Sequence, residues 1–192
     1  MNITAFLSYV IITSITPGPS NILMMNEAKK FGFKGSWRFN SGILTGFAIL
    51  GIISGIFTTS LYKWIPFMEP YFKVIGAIYL LYLAWKVSFP KGGKQQFKEV
   101  QSSFLSGLII QLINFKSILF FLTVMSAFIL PFNNSLTYVL FYLLITIFLG
   151  WIALILWSGF GSVFKSILLK YDKSFRLVMG LLLMYSAVSI FL

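Results

Sequence analysis

The sequence predicts an all-α membrane protein of six transmembrane helices, arranged as a 3+3 inverted repeat with its first helix broken. Three observations carry this. Hydrophobic residues make up 58% of the 192 and charged residues only 10%, against roughly 45–50% and about 25% in soluble domains. Apolar stretches recur with lengths near the ~20 residues a bilayer span needs. The charges fall between those stretches, and the basic ones concentrate in alternate loops.

The stretches cover residues 3–25, 40–61, 71–88, 104–130, 136–158 and 175–192. Residues 1–10 carry no positive segment of the kind that opens a cleaved leader, so the first stretch is expected to remain as a span. Its interior holds Thr16-Pro17-Gly18-Pro19-Ser20-Asn21. Proline lacks an N–H and its ring clashes with the carbonyl one turn back, so the helix should unwind there. It should restart at Pro19, whose fixed φ suits a first turn. Asn21 precedes Lys29 by eight residues, or roughly 12 Å of helix, which puts the break near the middle of a hydrocarbon core about 30 Å thick.

The second stretch carries Gly42-x-x-x-Gly46 and Gly51-x-x-x-Gly55. Small residues at this spacing let helices approach closely, within one chain or across a homodimer. Trp64 just past the second stretch, Trp85 at the end of the third and Trp157 closing the fifth are placed as headgroup anchors. Trp151 is too deep for that and reads as packing. Pro90-Lys91-Gly92-Gly93-Lys94 opens the linker 90–101 between halves 1–89 and 102–192 of a single transmembrane domain. Three spans in each half force opposite orientations, the plan of an inverted repeat.

The fourth stretch holds Gln111, Asn114 and Lys116. A lysine at that depth costs at least ~2.5 kcal/mol on insertion scales, which makes it a functional candidate. On a regular helix Asn114 and Lys116 would point nearly oppositely, so either the helix distorts at Phe115 or only one of them meets a cavity. The sixth stretch is short, and charge decides whether it counts. Lys29, Lys30, Lys34 and Arg38 mark the first loop; Lys86, Lys91, Lys94 and Lys98 the third; Lys165, Lys170, Lys173 and Arg176 the fifth. The second loop has Lys63 and Lys73 and the fourth has none. Six spans with both termini outside put every rich loop in the cytoplasm, whereas five break the alternation.

The same distribution excludes several functions. The net charge of +11 is dispersed in short loops, with no basic face for nucleic acid. Cysteine and histidine are absent, which removes thiol chemistry and the commonest metal ligand and proton carrier. The acids are Glu27, Glu69, Glu99 and Asp172, all in loops or at span ends. No buried carboxylate pair, triad or metal cage can be assembled, so neither an enzyme nor a bound metal or cofactor is expected. An ion or metal permease would want ligand clusters that the spans lack. A membrane scaffold or assembly factor, using its glycine spans for partners, has no need of polar residues at the midplane of both halves.

Thr16-Pro17-Gly18-Pro19, the basic loop running through Gly32 and Gly35 into Gly42-x-x-x-Gly46, and Asn114-x-Lys116 together resemble the lysine-exporter (LysE/RhtB) family of amino-acid efflux permeases. Gln111-x-x-Asn114-x-Lys116-x-Ile118-Leu119, Phe128-x-Leu130-Pro131 and Tyr185-x-Ala187-Val188-x-Ile190-Phe191 are most similar to its cysteine/O-acetylserine branch. Many members have Asn-Pro-Lys in the fourth span, where this chain has Phe115 in place of the proline. The resemblance implies proton-driven export of small neutral amino acids by a bacterial inner-membrane protein in contact with lipid. The expected substrate site is Thr16, Pro17, Gly18, Pro19, Ser20, Asn21, Gln111, Asn114 and Lys116. There the carboxylate would meet the helix end after Pro19 with Lys116 as counter-charge. The ammonium would meet carbonyls freed near residues 13–16 and the side-chain oxygen of Asn114 or Gln111.

Overall fold

Every regular element among the described residues of the computed structural model, 2–61, 65–89 and 103–189, is a helix. Lys63, Trp64, the linker 90–101 with its lysines and Glu99, and residues 190–192 lie outside them. α1 (Ile3–Ile15) opens on Asn2, whose side chain accepts from the Ala5 N–H at 3.1 Å. α2 (Pro19–Gly35) begins with proline at its first position and turns sharply at Gly32, where φ is 76°. That left-handed backbone favours glycine.

α3 (Trp37–Leu61) and α4 (Ile65–Ser88) complete the first half. The second half runs through α5 (Phe104–Leu112), α6 (Phe115–Thr123), a π-helical turn (Val124–Ile129), α7 (Leu136–Val163), α8 (Lys165–Lys170) and α9 (Asp172–Ser189). α3, over Trp37–Phe57, and α7 are long and apolar enough to cross a membrane. α5 and the segment Phe115–Ile129 make a third such unit, bent by 56°. α1 and the apolar part of α4, Lys73–Tyr82, are shorter.

The closest packing joins α2 to α7, α3 to α5 and α4 to α9. Glycine allows all three, Gly180 of α9 lying against Ser88 of α4. A Cβ on Gly42 would strike the Phe104 carbonyl, one on Gly107 the Phe39 carbonyl, and one on Gly161 the Met25 carbonyl. Gly46 meets the Gln111 side chain, Gly51 the Phe121 ring and Gly55 Leu143. All four glycines of the second stretch are therefore occupied within the chain. The close approach that Gly42/Gly46 and Gly51/Gly55 permit is made within the chain to α5, α6 and α7.

One apolar core gathers Phe6, Phe47, Phe121, Met125 and Ile147; a second gathers Met25, Leu80 and Leu183. The outward row of α7 is apolar too, with Leu144, Phe148 and Leu156 each at least 60% exposed. A row of this kind suits lipid and not water. At one end of the bundle Lys29 reaches Asp172, Lys165 Nζ donates to the Lys30 carbonyl at 3.2 Å, and the Phe33 N–H donates to Ser162 Oγ at 3.1 Å. The first and fifth basic loops thus share an end. α7 also continues past residue 158 to Val163, so Trp157 does not close that helix. Trp151 packs, donating to the Leu44 carbonyl at 2.9 Å.

Candidate substrate site

The first break lies where the prolines demand it. α1 ends at Ile15 and α2 restarts at Pro19, leaving residues 16–18 unwound. Pro19 has no N–H for the Ile15 carbonyl one turn back, and the Trp157 indole supplies the missing donor at 3.0 Å. Asn21 Nδ2 donates to the carbonyls of Ser14 at 2.9 Å and Thr16 at 3.1 Å. Ser186 on α9 donates to the Pro17 carbonyl at 2.8 Å. The opened backbone is covered by protein donors, as it must be away from water.

The second break needs no proline. α5 ends at Leu112, and Asn114 caps α6 by accepting the Lys116 N–H on its own side chain at 3.1 Å. The cap turns the chain enough that Asn114 and Lys116 both reach the cavity, despite being two residues apart. Lys116 Nζ then crosses to the first break, donating to the Thr16 carbonyl at 2.5 Å and the Pro17 carbonyl at 3.4 Å. Its stem lies over Gly18, where a Cβ would come 2.7 Å from Lys116 Cδ.

A buried polar network ties the two breaks. Ser20 Oγ donates to Gln111 Oε1, Asn114 Nδ2 donates to Ser20 Oγ at 2.8 Å, and Gln111 Nε2 donates to Ser117 Oγ at 2.9 Å. Gln111 is wholly buried and stands behind the cavity wall. The cavity itself is lined by Gly18, Ser20, Asn21, Asn114, Lys116 and Ser117 on its polar side. Thr13 and Ser14 join from α1, Phe47 from α3, Phe120 from α6, and Gly150 and Leu154 from α7. Its volume is about 30 Å³, room for roughly two waters.

The structure therefore brings Gly18, Ser20, Asn21, Asn114 and Lys116 together around one space. Thr16 and Pro17 contribute carbonyls to Lys116, Pro19 starts the helix, and Gln111 holds the network from behind. Ser14 Oγ is buried without a hydrogen-bond partner among the described residues. Two oppositely polarised ends face the space. The carboxyl end of α1 is negative, and the amino ends of α2 and α6 are positive. Such a pair of ends matches a small zwitterion.

A family model described as LysE type translocator matches residues 11–192. The chain is 31% identical over 189 residues to the cysteine/O-acetylserine efflux protein of Escherichia coli (strain K12), covering 98% of this chain and 97% of that protein. The protein of the same description from Shigella flexneri serotype 5b (strain 8401) matches with the same identity and coverage. No solved structure matches.

Proposed function

Because this chain belongs to the LysE type translocator family, we propose that it exports small neutral amino acids, of the cysteine, O-acetylserine or homoserine and threonine kind, by alternating access. The observation that carries the reading is the meeting of two helix breaks, one from each half, around a single cavity. Half-helix ends aimed at a shared site let one half rock against the other about a fixed substrate. The substrate carboxylate lies at the amino ends of α2 and α6, where backbone N–H groups and the dipole favour an anion. Its ammonium lies at the carbonyls of residues 14–17. The narrow cavity and the Phe47, Phe120 and Leu154 wall favour a short side chain. The protein sits in the bacterial inner membrane as six spans in two inverted halves, with both termini outside. It works as a transporter and not as an enzyme, and exchanges substrate for protons as the family resemblance implies.

Counterflow in proteoliposomes tests this. Loaded with cysteine, O-acetylserine, homoserine or threonine, the vesicles should accumulate the matching labelled amino acid. Vesicles loaded with arginine or glutamate should not. Equal counterflow for all of these, or for none, would refute the reading.

A further inference from the structure

In this conformation the place expected for the substrate's ammonium is already taken by Lys116. Its Nζ rests on the Thr16 carbonyl at 2.5 Å and the Pro17 carbonyl at 3.4 Å, the negatively polarised end where α1 stops. Both carbonyls have a second donor that does not depend on the lysine. Thr16 accepts from Asn21 Nδ2 at 3.1 Å, and Pro17 lies 2.8 Å from Ser186 Oγ, whose single proton can turn to it from the Leu182 carbonyl at 2.9 Å. The cradle therefore stays satisfied if the lysine leaves, and leaving exposes no orphaned acceptor.

Space points the same way. The free cavity of about 30 Å³ holds roughly two waters, far less than an amino acid. The Lys116 stem lines the same space, close over the bare Cα of Gly18. Among the described residues lining the cavity, Lys116 alone is charged, so no carboxylate there holds it in place. What holds the ammonium is a set of backbone carbonyls, and these recognise any alkylammonium group alike.

We propose that the Lys116 ammonium is a tethered stand-in for the substrate's own ammonium group, and that an incoming amino acid must displace it from the Thr16 and Pro17 carbonyls. This rests on the amino-acid reading of the site and adds a competitor built into the chain. The empty carrier is never electrostatically empty at this point. Apparent substrate affinity is lowered by the fraction of time that the lysine occupies the cradle.

The test is binding of a labelled amino acid to purified Lys116→Ala, with and without n-propylammonium, which reproduces the missing side-chain tip. Affinity in Lys116→Ala should tighten by at least about fivefold over wild type. Propylammonium should compete with the amino acid in the variant and leave the wild type unaffected, because there the cradle is already filled. Gly18→Ala provides a second route, since its Cβ would push the lysine stem aside; it too should tighten binding. A folded Lys116→Ala that binds more weakly than wild type would overturn the proposal and make the lysine a partner of the carboxylate. So would tight binding indifferent to propylammonium. A wild type with no affinity for any amino acid fails the functional reading instead. In that case propylammonium should still raise the melting temperature of Lys116→Ala but not of wild type, and the absence of that shift counts against the stand-in.

Discussion

Lys29 Nζ lies 2.7 Å from the Asp172 carboxylate, 143 residues away, and ties α2 of the first half to α9 of the second. Arg176 donates to the same carboxylate from one turn further along α9, and the Phe175 ring lies 5.1 Å from Lys29 Nζ. Lys29 is buried, while Asp172 keeps about a third of its side chain in contact with solvent. A pair so placed contributes less than a buried one and more than a loose surface pair. A double-mutant cycle of Lys29→Met and Asp172→Asn should give a coupling of about 1 kcal/mol, read from thermal unfolding in detergent.

The same carboxylate sets an acid limit. Burial alone would raise the Asp172 pKa, but the hydrogen bonds from Lys29 and Arg176, with their charges, outweigh it and hold the group below its ordinary value. A depressed carboxylate stabilises the fold fully above its unfolded value of about 3.9, and loses that contribution as pH falls through the lower folded value. Between pH 8 and 5 this tie should therefore leave the melting temperature unchanged. Below about pH 4 the wild type should lose more stability than Asp172→Asn, and parallel acid profiles for the two would show the tie to be idle.

The helix break at residues 16–18 should be required for transport and dispensable for folding. In Pro17→Ala with Pro19→Ala the backbone regains donors, and interior proline costs about 3 kcal/mol in an ordinary helix. The double variant should insert and melt no lower than wild type, yet show no counterflow. Undiminished transport by a well-expressed double variant would separate the break from the site.

How much of this was legible in the sequence differs between the two breaks. The first announces itself, because two prolines one residue apart remove donors that nothing local replaces. The second was ambiguous with Phe115 at the position where proline is common. Its cause is a side-chain cap from Asn114, which a sequence shows only as a polar residue in an apolar run. The cavity's far wall was illegible. Phe47, Gly150 and Leu154 read as ordinary packing until α3 and α7 are placed opposite the breaks. The roles of Trp157 and Ser186 were illegible for a related reason. Each satisfies a carbonyl of the first break from 142 or 169 residues away, and composition carries no trace of such a pairing. The six-span count still rests on charge alternation.

Topology can be checked directly, since the chain has no native cysteine. Single cysteines near Pro131 and Leu192 should react with an impermeant maleimide from outside intact cells. One near Gly93 should react only after permeabilisation. Labelling of Leu192→Cys from the cytoplasmic side alone would reduce the count of spans.

Side-chain selectivity should be set by Gly150 and Phe47. A Cβ on Gly150 would strike the Phe47 ring, and that ring is stacked on Phe120 with centroids 6.0 Å apart and tilted on Phe121 at 4.7 Å. With aromatic neighbours behind it, the ring has least resistance toward the cavity it already lines. Gly150→Ala should therefore shrink the space for the substrate side chain, whereas Phe47→Leu should enlarge it. The expected outcome is a reordering and not a uniform loss. Gly150→Ala should reduce counterflow of O-acetylserine more than that of cysteine, by about tenfold, since one or two methylene-sized groups in an apolar pocket are worth ~1–3 kcal/mol. Phe47→Leu should admit leucine or methionine better than the wild type does. Thermal stability of both variants, measured without substrate, separates a reshaped cavity from a damaged core. If Gly150→Ala slows every amino acid by the same factor, the glycine serves helix packing, and the side-chain wall must be sought among Ser14, Thr13 and Leu154.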